Sequence, residues 1–140
     1  MIERWTVSLK DVSKTPEERM AEFFAEAQDQ GARRERFLAA WKRGIALAGE
    51  QYFNITAASI EAANDKNQLQ PDYTMIQDAI GRVSAGQGAF LAALYSFYNG
   101  DDGQKLLAAA GYPNISDLAG KLDPEQAEVI AALLLNYHGW

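Results

Sequence analysis

Five of the chain's thirteen basic residues form a cluster: Arg33, Arg34, Arg36, Lys42 and Arg43. On a helix, Arg36 and Arg43 stand seven residues apart on one face, and Arg33 lies one turn before Arg36. Guanidinium groups arranged in this way can hold a phosphate or an acidic partner. The alternative is pairing with acids of the helix that precedes the cluster, where each exposed pair stabilises little. Arg33, Arg36 and Arg43 are therefore the candidates for anion binding.

Aromatic residues are numerous enough to line a pocket for a small molecule. Rings supply contact area and phenol hydroxyls fix orientation. The polar groups predicted to point into such a pocket are Glu50, Tyr52 and Tyr95. The alternative is that the rings belong to the core. Those that would supply the lining are Tyr52, Phe53, Tyr95, Phe97, Tyr98 and Tyr137.

Catalytic, metal and cofactor sites are not indicated. The chain has no cysteine, which excludes thiolate zinc sites and a cysteine nucleophile. Its one histidine, His138, could act as a general base, but no nucleophile or orienting carboxylate is tied to it. Asn99, Asp101 and Asp102 lack the closing Glu of an EF-hand, since Ala110 stands there. We predict no catalytic residue, no metal and no cofactor.

Composition places the chain among ordinary globular proteins. Its 140 residues, 48% hydrophobic and 23% charged, predict one domain with a real core. The apolar runs are too short to cross a membrane, so we expect a soluble, cytoplasmic protein without a membrane partner. The net charge of −6 divides into −1 for residues 1–70 and −5 for residues 71–140. That acidic second half opposes binding of nucleic acid.

The first predicted helix starts at Thr15-Pro16, where Thr15 can cap the free amides and Glu18 completes a capping box. It runs to about Gln28, and Gly31 is the expected terminator. Acids give its outer face a negative charge. Its apolar face is formed by Met20, Phe23, Phe24 and Ala27.

A second helix is predicted within residues 32–63. A continuous helix there would span about 48 Å, whereas a compact domain of this length is about 37 Å across. The helix must therefore break near Gly44 or Gly49, or extend beyond one subunit and pack on another. Its apolar stripe, at alternating steps of three and four, is Leu38, Trp41, Ile45, Ala48, Tyr52, Ile55, Ser59 and Ala62.

Small residues four apart form a flat ridge on this helix: Ala40, Gly44 and Ala48. Such a ridge allows close approach of another helix, either within the chain or from a second subunit. Residues 1–14 are predicted to form an extended N-terminal arm, in which Trp5 and its neighbours alternate as in a half-buried strand; the alternative is an extended arm packed on the helices. A strand there would need its edge covered, most simply by the same segment of a second subunit.

Residues 64–71 are polar and predict a linker. The Asn, Asp and Gly residues at 99–103 are typical of a turn. A short helix from Gln104 to Ala110 is expected to follow and to stop at Gly111. The predicted helix caps after residue 71 are Asp72 or Thr74, Ser84 with Gln87 as a capping box, Ser116 and Asp123.

Residues 115–136 resemble the helix-turn-helix of winged-helix regulators in the spacing of their apolar side chains. The resemblance covers about one sixth of the chain. It implies a nucleic-acid-linked regulator. The second helix, however, begins with Glu125, Gln126 and Glu128 where a reading helix needs groups that suit bases and phosphates. Packing of the two helices within the protein is therefore the preferred interpretation.

Together these patterns predict an all-α fold of five to seven helices in an irregular bundle with an extended N-terminal arm. It would be one domain, residues 1–140, with helices one and two in 15–63 and the C-terminal helices in 72–140. The predicted function is a non-enzymatic interaction protein that forms a homodimer and binds another protein. The contact candidates are Trp5, Ala40, Trp41, Gly44 and Ala48. The alternatives are a small-molecule-binding or enzymatic domain, and the regulator.

Overall fold

A computed structural model describes residues 14–140, and within that range the chain forms six α-helices and one small two-stranded sheet. The predicted all-α fold of five to seven helices is confirmed. The prediction for Trp5 and residues 4–10 falls outside the described residues. The elements are α1 Pro16–Ala48, β1 Phe53–Ile55, β2 Leu69–Pro71, α2 Tyr73–Ala79, α3 Ala85–Tyr98, α4 Gly100–Ala110, α5 Ile115–Lys121 and α6 Pro124–Asn136.

Helix α1 is one unbroken helix of 33 residues. The prediction that a first helix ends near Gln28 and that Gly31 terminates it is wrong. A glycine inside a helix costs about 1 kcal/mol, which the helix formers on both sides of Gly31 offset. The helix begins where predicted, because the Thr15 hydroxyl accepts a hydrogen bond from the Glu18 amide at 3.1 Å, but the Glu18 side chain does not complete the predicted capping box. The helix ends before Gly49, one of the two predicted break points, where the backbone turns at a φ of 117°.

Residues 49–71 contain no α-helix, only the short 3₁₀ helices Glu50–Tyr52 and Lys66–Gln68, so the predictions of a helix as far as Ala63 and of a linker over 64–71 are wrong. Instead β1 pairs antiparallel with β2, with Phe53 opposite Pro71 and Ile55 opposite Leu69. Leu69 is fully buried, and its carbonyl accepts a hydrogen bond from the Trp41 indole at 2.8 Å. Burial of Leu69 against α1 draws this polar stretch into the core, an effect that local polarity does not reveal.

The core lies between the second half of α1 and helices α3 and α6. Trp41 is fully buried, and the ridge of Ala40, Gly44 and Ala48 is buried as well. A Cβ placed on Gly44 would lie 3.2 Å from both the Leu94 and the Val129 side chains. The ridge therefore packs within the chain, which is the alternative that the sequence left open. None of these four residues is available to a second copy while this core is intact.

From α2 to α6 the helices follow the predicted caps in most places. Asp72, Ser84 and Asp123 each accept a hydrogen bond from a first-turn amide, as predicted. The Gln87 side chain does not close a box with Ser84, because it donates to the Ala48 carbonyl at 2.9 Å. The cap of α5 is Asn114 and not Ser116.

The predicted turn at residues 99–103 is wrong, because these residues begin α4. The Asn99 side chain accepts from the Asp102 amide at 3.0 Å and caps the helix. Asp101 and Asp102 then stand in the first turn, where negative charge favours the helix. Gly111, in the left-handed conformation, ends α4 as expected. A cap and a turn use the same residue types, so the sequence pattern alone does not separate them.

Candidate functional site

The first half of α1 is exposed at every position from residue 15 to residue 31, and we call this stretch the exposed segment. Its apolar side chains remain accessible, with Met20 55%, Phe23 64% and Phe24 58% exposed. Together with Ala27 they recur at steps of three and four, which places them on one face. A helix with such a face is the usual ligand of a hydrophobic groove in another protein.

A second apolar feature is a groove of about 610 Å³. We call it the apolar groove. Its sides are formed by α5 and α6, and α3 and α4 supply the remainder. Ser96, one of its few polar lining residues, already donates its hydroxyl to the Ala93 carbonyl at 2.8 Å. The lining is Ala93, Ser96, Phe97, Leu107, Ile115, Leu118, Ala119, Leu122, Ala127, Ile130, Ala131, Leu134 and Tyr137.

The groove explains the apolar spacing within residues 115–136. Helices α5 and α6 direct Ile115, Leu118 and Leu134 into the groove. At the start of α6, Glu128 forms an ion pair with Arg43 at 2.9 Å. The apolar residues that gave the helix-turn-helix spacing therefore line two sides of the apolar groove.

One end of the groove lies beside the point where the exposed segment leaves the core. Phe37 is the first fully buried residue of α1. Its ring centroid lies 6.0 Å from that of Tyr137, which lines the groove, and 6.3 Å from that of Phe97 on the same lining. Each chain thus carries an apolar helix face and an apolar groove that begin at neighbouring places.

The three arginines predicted to bind an anion are paired within the chain. Arg43 contacts Glu128, and the guanidinium nitrogens of Arg33 and Arg36 lie 3.8 and 3.9 Å from Asp29. Arg36 also donates from Nε to the Asn136 side chain at 2.7 Å. Arg33 and Arg36 thus share one acid that precedes them, as in the alternative that the sequence left open, whereas Arg43 pairs with an acid of α6. Arg33 Nε is buried without an acceptor.

The three residues predicted for an aromatic pocket do not come together around a cavity. Glu50 is exposed, Tyr52 is half-buried and Tyr95 is buried. The Tyr95 ring lies 5.5 Å from the rings of both Tyr73 and Tyr98. Burial raises the pKa of the Tyr95 phenol, and the nearby carboxylate of Asp102 adds to that rise. Tyr95 is thus part of the aromatic core.

A polar cleft of about 430 Å³ lies where the first core turn of α1 meets the loop before β2 and the last residues of the chain. The Lys66 ammonium lies 3.1 Å from His138 Nε2 and also donates to the Gly139 carbonyl. We call this surface the polar cleft. It is lined by Arg34, Glu35, Phe37, Leu38, Asn64, Asp65, Lys66, Asn67, His138, Gly139 and Trp140.

The contact with Lys66 determines the state of His138. An ammonium group only donates, so Nε2 accepts, and the proton resides on Nδ1, which faces the Asn136 carbonyl at 3.3 Å. Burial lowers the pKa of His138, the Asn136 carbonyl opposes that effect, and the charges of Lys66, Arg34 and Arg33 lower it further. Burial likewise lowers the pKa of Lys66. His138 is therefore neutral at pH 7.

Sequence reasoning missed the polar cleft, because Lys66 and His138 stand 72 residues apart in the chain. The one local signal was Trp140 close to His138, an aromatic ring beside the only histidine. The Lys66 ammonium lies 5.4 Å from the Trp140 ring centroid and 5.8 Å from that of Phe37. The cleft thus joins cationic groups to aromatic rings.

Residues 14–140 contain no cluster of three or more metal-ligating side chains, and none of their helices has the length and hydropathy needed to cross a bilayer. Comparison with known proteins finds no family model, no curated protein and no solved structure that matches the chain. Its function must therefore be inferred from the chemistry of its own surfaces.

Proposed function

We propose that this chain is a non-enzymatic, cytoplasmic interaction protein that forms a homodimer, in which the exposed segment of each copy lies in the apolar groove of the other. The observation that carries the proposal is the exposed segment itself. It is a run of helix in which every residue is exposed, although Met20, Phe23 and Phe24 form an apolar face on it.

Energetics favour a covered face. Burial of one exposed phenylalanine contributes about 1.5–3 kcal/mol, and one face carries two of them. Single exposed apolar residues are ordinary on a protein surface, but a contiguous stripe marks an interaction site. The stripe has the anchor spacing of a helix that lies in a groove.

The groove supports a second copy as the occupant. Its lining is almost wholly apolar, so it offers contact area to a face such as that of Phe23 and Phe24 and few hydrogen bonds to a polar peptide. Its Tyr137 end lies near Phe37, where the exposed segment emerges. In a two-fold dimer, one such neighbourhood in each copy allows both segments to cross to the partner's groove in the same way.

The experiment measures mass in solution by light scattering and sedimentation at micromolar concentration. We expect the native chain to have the mass of two copies. Phe23→Glu/Phe24→Glu on the segment and Leu134→Glu in the groove should each give a monomer, because each places a charge in an apolar interface. All three positions are exposed, so the variants should keep the fold.

Two matched controls test the location. Leu135 is 78% exposed beside Leu134 but does not line the groove, so Leu135→Glu should remain a dimer. Ala25 lies about 150° round the helix from the apolar face, so Ala25→Glu should also remain a dimer. Dissociation by either control to the same extent as by its neighbour would contradict the proposed interface.

Mixing the segment variant with the groove variant separates this arrangement from pairing of two exposed segments. In the mixed dimer one native segment still meets one native groove. Native mass spectrometry should therefore detect a dimer of the two variants, although neither variant alone forms a dimer. A dimer that survives Leu134→Glu would show that the segments pair with each other. A native monomer at every concentration would refute self-association and point to a helix of a different protein as the occupant.

A further inference from the structure

The polar cleft holds two positive charges that no carboxylate of residues 14–140 neutralises by direct contact. Lys66 contacts only uncharged acceptors, the His138 ring and the Gly139 carbonyl. Arg34 lines the cleft and makes no hydrogen bond or ion pair within the described part of the chain. Arg33, Arg36 and Arg43, by contrast, each face an acid. Burial lowers the pKa of Lys66 and the nearby carboxylate of Asp65 opposes that effect, but neither cation of the cleft is in contact with a carboxylate of the described residues, so both can meet an anion from solution.

The aromatic side of the cleft is already fixed in position. The Trp140 ring centroid lies 4.9 Å from that of Trp41 and 5.1 Å from that of Tyr98. Its indole nitrogen donates to the Asn67 side chain at 2.9 Å. Trp140 remains partly exposed where it lines the cleft. A ring held in this way can contact a planar ligand with little further loss of side-chain entropy.

Two acids also line the cleft, and only one of them has a hydrogen-bond partner within residues 14–140. Asp65 caps the short 3₁₀ helix Lys66–Gln68, and its carboxylate accepts from the Asn67 amide at 2.7 Å. Glu35 is exposed and makes no hydrogen bond or ion pair within residues 14–140. Glu35 therefore opposes an anion in the cleft, whereas Arg34 beside it in sequence attracts one.

From this arrangement we propose that the polar cleft binds a small aromatic ligand that carries one carboxylate or phosphate group. The anionic group meets Arg34 and Lys66, and the ring lies against the partly exposed Trp140. The volume of about 430 Å³ falls within the range of ordinary small-molecule sites. The site shares no lining residue with the apolar groove.

The test titrates the full chain, without a histidine tag, with benzoate and with phenyl phosphate. Because the chain has one histidine, the ring C–H signals of His138 in proton NMR report on the cleft without further assignment. Tryptophan fluorescence gives a second readout, to which Trp140 contributes together with Trp5 and Trp41. We expect saturable shifts with both probes, and the tighter of the two identifies the preferred anionic group. Acetate, inorganic phosphate and neutral benzamide should bind much more weakly, since each lacks either the ring or the charge.

Two substitutions of exposed side chains should act in opposite directions. Arg34→Gln should weaken binding of both probes roughly tenfold, as loss of a charge-assisted hydrogen bond does. Glu35→Gln should tighten binding about two- to fivefold, because it removes a repelling charge at an exposed site. Arg43→Gln, on the same helix but outside the cleft, should have no effect.

The proposal would be overturned by the absence of saturation with either aromatic anion. It would also be overturned if Arg34→Gln and Glu35→Gln bound as the native chain does. Binding of acetate and inorganic phosphate as tight as that of the aromatic probes would refute a role for the rings.

Discussion

Gly103 in α4 lies so close to α3 that the structure predicts the effect of replacing it with alanine. A Cβ added there would lie 2.3 Å from Ser96 Cα, 2.5 Å from Ser96 Cβ and 2.9 Å from the Ser96 amide nitrogen. These are atoms of, or next to, the backbone of α3, so no side-chain rotation relieves the overlap. Gly103→Ala must therefore move α4 away from α3.

The expected effect is the difference between two terms. Alanine gains about 1 kcal/mol over glycine inside a helix. Overpacking of a closed contact costs about 1–3 kcal/mol, and an overlap with backbone belongs at the upper end. We therefore expect Gly103→Ala to lower the free energy of unfolding by about 2 kcal/mol.

Gly100→Ala is the matched control, because it lies on the same helix and a Cβ there meets no atom within 4 Å. Urea denaturation of the two variants and the native chain, followed by circular dichroism, measures the difference. Equal stability of the two variants would refute the close approach of α3 and α4. Leu107, one turn beyond Gly103, lines the apolar groove, so the displaced helix should also weaken the dimer measured by sedimentation.

Two further predictions concern the core and the cleft. Gly44→Leu should lower the free energy of unfolding by about 1–3 kcal/mol in urea, because the new side chain has no space between α3 and α6; an unchanged midpoint would show that the helices are not in contact there. His138 should make stability depend on pH. Its pKa in the fold is lowered, so its contribution is fully present above the ordinary value of about 6.5 and is lost as the pH falls toward the lowered value. The charges that face it are Lys66, Arg34 and Arg33. Between pH 7.5 and pH 5.5 the free energy of unfolding should therefore fall less for His138→Gln than for the native chain. Equal decreases would contradict a lowered pKa of His138 in the fold.

The structure also changes which residues can carry the predicted self-association. The small-residue ridge of α1 was the natural candidate, yet Gly44 is closed between Leu94 and Val129. The apolar face that remains exposed lies earlier on the same helix, at Phe23 and Phe24. The expectation of a dimer thus rests on a different half of α1 from the half that the sequence pattern favoured.

The sequence by itself determined where most helices begin. Thr15, Asp72, Ser84 and Asp123 all cap as predicted, because a cap satisfies backbone amides only two or three residues away. It also determined the all-α class, since apolar periodicity and helix propensity are properties of short windows. Gly111 ended its helix for the same local reason.

Only the tertiary structure decided the rest. The polar residues before Leu69 became part of a hairpin, because packing against distant residues outweighs local preference. The polar cleft unites Lys66 with His138, and the apolar groove unites α3 with α6, across long stretches of chain. Such neighbours are chosen by burial of shared surface between distant elements, and no window of sequence contains both partners.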